Sequence, residues 1–294
     1  MTPPSHSRVF PRVVRAAAAL GVAAALGLSY LLFESQWLRP VERELEVPGL
    51  PPDLEGFTVA QLSDLHVGFV PSFNLRTLRK AVAALDAARP DLIVVTGDLV
   101  TGSLRLEALR AELSRLRAPC GVFAVLGNHD HAEAKFVPLR PPSPQQLGRL
   151  SADAGVRLLT NECVTVPVGE AAVQVCGVDD VRHGFGDLAP VEASLDRRQV
   201  VFRLLLSHFG EVAGRVAPGD FALVLSGDTH GGQICLPWFG GRVMLSSPRA
   251  EFREGFHRRD GALVYVTRGV GTSFLPFRFL CRPEIVLFRL GAAR

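Results

Sequence analysis

The chain has 294 residues, 48% of them hydrophobic and 21% charged, with a formal net charge of +3. This balance belongs to a globular protein with a sizeable core and excludes a disordered chain. So small a net charge gives no global field for nucleic acid, and no basic stripe or aromatic platform is evident, so no nucleic-acid partner is expected.

At the N-terminus, Arg8, Arg12 and Arg15 precede an uncharged run, Ala16 to Phe33. As a helix this run spans about 27 Å, the short end of a bilayer core. It closes in Tyr30-Leu31-Leu32-Phe33-Glu34 without a small-residue cleavage site, which favours an uncleaved signal anchor over a signal peptide. A buried soluble helix is the third reading. The basic tail, residues 1–15, outweighs Arg39 and Arg43 behind the span. The positive-inside rule then puts the tail in the cytoplasm and the rest on the outer side of a bacterial plasma membrane. Residues 34–55 are mixed in charge and hold Pro40, Pro48, Pro51 and Pro52, which reads as a stiff linker to one domain over 56–294.

A repeating order follows. Phe57 to Ser63 predicts a strand, and Leu75, Leu78, Val82 and Leu85 share one helix face. Asp91 to Thr96 is a continuous apolar run of the buried-strand kind. Leu106, Leu109, Leu113 and Leu116 predict a second amphipathic helix, and Gly121 to Leu126 a third strand. Strands alternating with helices imply right-handed βαβ units and parallel pairing. After a Pro-rich loop (Val137 to Pro144), Ser143 and Pro144 mark a helix start. Six strands are predicted beyond it: Cys163 to Val168, Val173 to Gly177, Arg203 to Ser207, Phe221 to Leu225, Ala262 to Thr267 and Glu284 to Leu290. The fold class is α/β, one domain with two sheets and flanking helices. Five cysteines (Cys120, Cys163, Cys176, Cys235, Cys281) form no CxxC pair, and most lie in strand-like runs as small buried hydrophobes.

Polar residues of metal-binding type stand where strands end. The first strand runs into Ser63-Asp64-Leu65-His66, the second into Gly97-Asp98, the third into Gly127-Asn128-His129-Asp130. Later strands run into Ser207-His208 and Gly227-Asp228-Thr229-His230. Ligands of open α/β sheets bind at the carboxyl ends of strands, so five such ends would converge on one site. Phosphoester hydrolysis at neutral pH needs a nucleophilic hydroxide and charge relief on the phosphoryl oxygens, which a pair of dications supplies. Singly, each of these motifs has an ordinary reading as a turn or a structural histidine.

Taken in order, DLH, GD, GNHD, SH and GDTH resemble the calcineurin-like metallophosphoesterase family over roughly Phe57 to Leu290. The ending Gly269-Val270-Gly271-Thr272-Ser273, with Pro276, Arg278 and Pro283-Glu284, resembles its membrane-anchored bacterial branch, that of the YkuE- and YaeI-like phosphodiesterases. The resemblance implies a four-layer αββα sandwich and two divalent metal ions. Asp64, His66 and His230 would hold one metal, Asn128, His208 and Asp228 the other, with Asp98 bridging. His129 would stabilise charge at the scissile phosphate or protonate the leaving oxygen, and Asp130 would orient the His129 ring. The family commonly has GHxH where this chain has Gly227-Asp228-Thr229-His230. A third ligand carboxylate removes one more unit of charge from the metal pair and favours manganese over iron or zinc.

The expected substrate is a phosphodiester or pyrophosphate in a lipid-linked envelope molecule, a UDP-2,3-diacylglucosamine-type pyrophosphate being one candidate. That substrate belongs to the cytoplasmic face, against the orientation read above. Soluble phosphoesters are the alternative, and a metal-binding scaffold without catalysis is a remote third. Asp179, Asp180, Arg182 and His183 read as a polar turn with a substrate contact as second reading, and His131 as a loop residue. Arg249, Arg253, Arg258 and Arg259 read as a solvated loop, with an anion site as the alternative; His6 and His257 have no evident partner.

Overall fold

The computed structural model describes residues 9–68, 73–131, 141–197, 202–238, 241–244 and 250–293. The end of the chain comes first as a long helix, α1 (Val9–Ser35), whose apolar side chains, Leu20, Val22, Leu26 and Phe33 among them, face outward. From Val13 to Ser35 it is long and apolar enough to cross a bilayer and is not part of the core. It is not packed in the core of this chain, as a buried soluble helix would be.

The first sheet grows from the alternating unit anticipated above. Strand β1 (Arg39–Val47) is followed by β2 (Thr58–Leu62), α2 (Phe73–Ala88), β3 (Leu92–Thr96), α3 (Leu106–Leu113) and β4 (Val122–Val125). Helix α4 (Pro144–Asp153) starts as expected: Ser143 accepts from Gln146 N, and the Gln146 side chain accepts from Ser143 N, a reciprocal cap. Residues 137–140 of the preceding Pro-rich loop lie outside the described residues. Short β5 (Arg157–Leu158) completes this half.

The second half is strand-rich: β6 (Glu162–Val168), β7 (Ala171–Gly177), a single-turn α5 (Ala189–Ala193), β8 (Phe202–Leu206) and β9 (Leu223–Ser226). A hairpin of β10 (Cys235–Trp238) and β11 (Gly241–Met244) stands apart, followed by β12 (Gly255–Arg259), β13 (Ala262–Val266) and β14 (Glu284–Ala292). One sheet has the order β1-β14-β2-β3-β4-β5 and the other β12-β13-β9-β8-β7-β6. Both are mixed: β2, β3, β4 and β5 run parallel, as do β13, β9, β8 and β7, while β14 and β2, β6 and β7, and β12 and β13 pair antiparallel.

The sheets face each other across Val59, Leu92, Val94 and Val125 on one side and Val175, Leu204, Leu206 and Leu225 on the other. Helices α2, α3 and α4 cover the outer face of the first sheet, burying Leu75, Leu78, Leu85, Leu109 and Leu113, with Leu106 partly buried; Leu116 is buried too, just beyond α3. Over the second sheet the helical layer is thin, reduced among the described residues to α5 and a 3-10 segment, Gly210–Arg215. The architecture is an αββα sandwich with an unequal pair of outer layers.

Two expectations need correction. Residues 39–47, read as part of a linker, form edge strand β1, paired in parallel with β14 in the register Leu45 to Leu290. Arg43 sits between Val41 and Leu45 on the alternating row, which breaks the period-2 signal, and the partner strand lies at the far end of the chain. Cys163 and Cys176, read as small buried hydrophobes, face each other across β6 and β7 and form a disulfide. Only the antiparallel register brings them together; Cys120, Cys235 and Cys281 stand outside this pairing.

Because Leu45 is buried and Glu44 exposed, Leu45→Ala should cost about 2–5 kcal/mol in denaturant unfolding and Glu44→Ala about 0.5 kcal/mol or less. Equal, negligible effects would mean that β1 does not belong to the folded domain.

Candidate metal centre

Each polar cluster emerges just past the carboxyl end of a strand. Strands β2, β3 and β4 of one sheet and β8 and β9 of the other carry these ends, so the site sits at the seam of the sandwich. The chain turns sharply there. Asp64, His66, Asp98, Asp228 and His230 all have left-handed backbone, with φ between 45° and 71°, a conformation that costs L-residues and that only the surrounding fold can hold. Gly227 is required at its position, since a Cβ there would fall inside contact distance of Ser63 Oγ and the Asp64 carboxylate.

The side chains converge in three overlapping groups: Asp64, His66 and His230; Asp64, Asp98 and His208; His66, Asp98 and His129. Within each group the ligand atoms lie within 4.8 Å of one another. Asp98 Oδ2 is 3.3 Å from His66 Nε2 and 3.3 Å from His208 Nε2, a position between the two halves of the site. His66 Nε2 faces His230 Nε2 at 2.9 Å, and Asp64 Oδ1 lies 3.5 Å from His230 Nε2. His208 Nδ1 donates to the Thr96 carbonyl at 2.9 Å, which orients the ring with Nε2 towards the site. His66 Nδ1 meets Thr101 Oγ1 at 2.6 Å. Asp228 is turned to both sides: Oδ1 is 3.9 Å from His208 Nε2, while Oδ2 accepts from Arg182 at 3.3 Å.

Electrostatically the cluster is incomplete as protein alone. Burial pushes Asp64 up to about 7 and His66 down to about 3, and lowers His230 well below its ordinary value. Burial also raises Asp228, against the pull of His208 and Arg182. For Asp98 burial acts upward too, but His208, then His129 and His66, outweigh it and hold the carboxyl well below the usual range. Asp64 Oδ2, Asn128 Oδ1, His208 Nε2 and His230 Nδ1 are buried without a hydrogen-bond partner. The converging carboxylates and imidazoles, with buried polar atoms left unpartnered among them, fit first-row divalent cations.

The expected role of Asp130 is not met. Its carboxylate accepts from the backbone N–H groups of Leu99, Val100 and Gly127, at 3.1, 3.0 and 2.9 Å, while His129 Nδ1 has no hydrogen-bond partner. Asp130 fixes the turns bearing Asp98 and Asn128 rather than the His129 ring. His129 is held through its backbone, N–H to Asp98 Oδ1 at 3.0 Å.

Among the secondary candidates, His131 pairs with Asp179 at 2.7 Å and stacks on Phe185, and Asp180 pairs with His183, so these residues brace one another. Arg182 of that turn reaches the ligand set through Asp228, with its guanidinium 3.8 Å above the Phe209 ring. Arg258 and Arg259, read as loop residues, lie in β12 instead, where Arg259 pairs with Glu251 and Asp260 in solvent. Arg249 and His6 lie outside the described residues; His257 packs against Phe252. Sequence spacing gave no sign of Asn74 on α2, whose Nδ2 donates to the His66 and Thr272 carbonyls, since the contact joins distant segments. Arg278, visible only as part of a closing pattern, is fully buried and donates to the carbonyls of His230, Arg268, Gly269, Gly271 and Cys281.

An αββα sandwich whose seam gathers these donors at strand ends belongs to the metal-dependent phosphoester hydrolases. The sequence profile of the calcineurin-like phosphoesterase family matches residues 57–232, more than half of the chain, and the chain belongs to that family. It is 30% identical to the uncharacterized metallophosphoesterase YkuE of Bacillus subtilis, covering 94% of this chain and 93% of that one. Identity to the phosphodiesterase YaeI of Escherichia coli is 28%, over 93% and 96% of the two chains. The UDP-2,3-diacylglucosamine pyrophosphatase LpxG of Chlamydia trachomatis is also 28% identical, over 87% of this chain and 90% of that one.

Metal binding should be proton-linked. A carboxyl held up at about 7 keeps its proton below that pH, and a cation must displace it. Apparent metal affinity should therefore rise as pH climbs through about 7, with proton release seen by calorimetry in buffers of different ionisation enthalpy. A pH-independent affinity without proton release would contradict the cluster's electrostatics.

Proposed function

We propose that this hydrolase cleaves a phosphodiester or pyrophosphate bond in a lipid-linked envelope substrate, using two divalent cations. Asp64, His66 and His230 would hold the first cation and Asn128, His208 and Asp228 the second, with Asp98 shared. The observation that carries this is Asp98, equidistant from His66 and His208 and grouped with Asp64, with unpartnered Asp64 and His208 atoms in the same cluster. When bound, the cations supply a hydroxide at neutral pH and charge relief on the phosphoryl oxygens.

His129 stands at the rim of the cluster, its Nδ1 free of other bonds, and serves as proton donor to the leaving oxygen or as charge stabiliser. Asp130 keeps the backbone beneath it in place. Manganese is the preferred cation because Asp228 adds an oxygen donor where the family commonly has imidazole. Arg182 returns a positive charge beside that carboxylate, which softens the charge difference without changing the donor.

A lipid-linked substrate is supported by α1, which is long and apolar enough to span a bilayer, and by similarity to LpxG, a UDP-2,3-diacylglucosamine pyrophosphatase. In this reading the chain is a single-pass protein of a bacterial plasma membrane with its catalytic domain outside. The Cys163–Cys176 disulfide suits an oxidising compartment and supports that side. Broad action on soluble phosphoesters remains the second reading, favoured by identity to YaeI, a phosphodiesterase.

With manganese, the purified protein should hydrolyse bis-p-nitrophenyl phosphate, and His129→Ala should lower kcat by about 10²–10⁴-fold. No turnover, with no effect of the substitution, would identify a metal-binding scaffold. Metal analysis that finds zinc in both sites at full activity would remove the manganese assignment. Incubation with envelope lipids, followed by mass spectrometry of phosphate-bearing products, separates the lipid-linked from the soluble reading.

A further inference from the structure

The loop after Gly271 is fastened at one end to the metal centre. Asn74 ties it to His66: Nδ2 donates to both the His66 and Thr272 carbonyls at 2.9 Å, and Oδ1 accepts from Thr272 N at 3.0 Å. Gln233, three residues beyond His230, donates to the Ser273 and Leu275 carbonyls and accepts from Ser273 N.

The other end of the loop is fastened to α1. Arg278 N donates to the Leu31 carbonyl at 3.2 Å, Cys281 N donates to Glu34 Oε1 at 2.6 Å, and the rings of Tyr30 and Phe279 meet edge-on at 6.0 Å. Trp37, just past the helix, lies 3.8 Å beneath the Arg282 guanidinium. Helix end, loop and metal centre are thus one hydrogen-bonded unit.

What this unit presents is hydrocarbon. Phe274, Leu275 and Leu280 are exposed by 45%, 53% and 40%. Phe274 and Leu280 have φ of 57° and 51°, which bulky L-residues adopt only at a cost, so the loop is held in shape rather than relaxed. The Phe274 ring also reaches His129, with centroids 5.8 Å apart. Exposed apolar surface therefore leads from the end of the candidate span to the catalytic histidine. Single exposed leucines need no explanation, but a short loop carrying three large apolar side chains does.

We propose that residues 273–280 seat the catalytic domain on the bilayer surface, turning the mouth of the metal site towards the lipid headgroups. The reading rests on the lipid-linked substrate proposed above. The occupant is lipid because the loop continues directly from a helix fit to span a bilayer. The junction also carries Tyr30 and Trp37 with Arg39 and Arg282, the aromatic and basic pairing of a membrane interface. A substrate would then present its phosphoester to His129 while its hydrocarbon tail stays in the membrane.

The test uses the full chain reconstituted in phosphatidylglycerol-containing vesicles, with and without lipids brominated on the acyl chain. A Leu275→Trp variant, read as the difference from the parent protein, should show a blue-shifted added emission that is lost in brominated vesicles. Undiminished emission in brominated vesicles overturns the proposal. So does a blue shift that appears only as protein concentration rises and resists bromine, which would mean that a second copy covers the loop.

A Leu275→Asp, Leu280→Asp double variant reads the consequence for catalysis. Turnover of a long-chain phosphodiester in vesicles should fall roughly tenfold for each leucine removed from lipid. Hydrolysis of bis-p-nitrophenyl phosphate should hold, which also reports that the variant folds. An equal fall on both substrates, or none on either, overturns the proposal. Bromine quenching is read without turnover, so a protein that is quenched yet hydrolyses no lipid-linked ester keeps the docking surface and loses the functional reading.

Discussion

The catalytic end of this molecule depends on one buried carboxylate. Asp98 leaves the end of β3 with left-handed backbone and places Oδ2 3.3 Å from a histidine of each sheet, His66 and His208. It also accepts from His129 N, so one side chain sets the spacing of three strand ends. Burying so many ionisable groups together is costly unless each is paired or coordinated. Thr96, Thr101 and the backbone donors around Asp130 satisfy the outward-facing atoms. The inward-facing atoms are left for cations, and the sandwich seam is where the two sets of donors can meet.

A second set of bonds ties that seam to the end of α1. Arg278 is among the largest fully buried side chains, and burial lowers its pKa from the ordinary guanidinium value. Its cost is offset by carbonyls on both sides of the site, from His230 to Gly271. The left-handed residues of the ligand turns and of the Phe274 loop are held by this network and by Asn74 and Gln233. Strain is concentrated at the metal centre and in the Phe274 loop, and the regular strands behind supply the rigidity that sustains it.

Much of this was legible in the chain. Runs such as Leu92 to Thr96, apolar on both faces, can only be interior strands, and the leucine spacing of α2 and α3 gives their covered faces. Asp64, His66, Asp98, His208 and His230 were visible because polar residues directly after apolar strands stand out. Three features were not legible. Strand β1 pairs with the other end of the chain and carries Arg43 on its alternating row. The Cys163–Cys176 pairing follows from strand register, not from motif spacing. Asp130 follows the motif, yet its partners are backbone groups fixed by the turn geometry rather than the neighbouring ring.

By itself, the sequence determined the order of strands and helices, the set of ligand-type residues and a helix long enough to span a bilayer. Periodicity and residue chemistry are local properties, and local properties can be read along a chain. Tertiary structure decided which atoms meet: that Asp98 stands between the sheets, that Arg182 balances Asp228, and that the Phe274 loop joins His129 to the end of α1. Those contacts join segments far apart in the chain, and only the closing of the sandwich brings them within bonding distance.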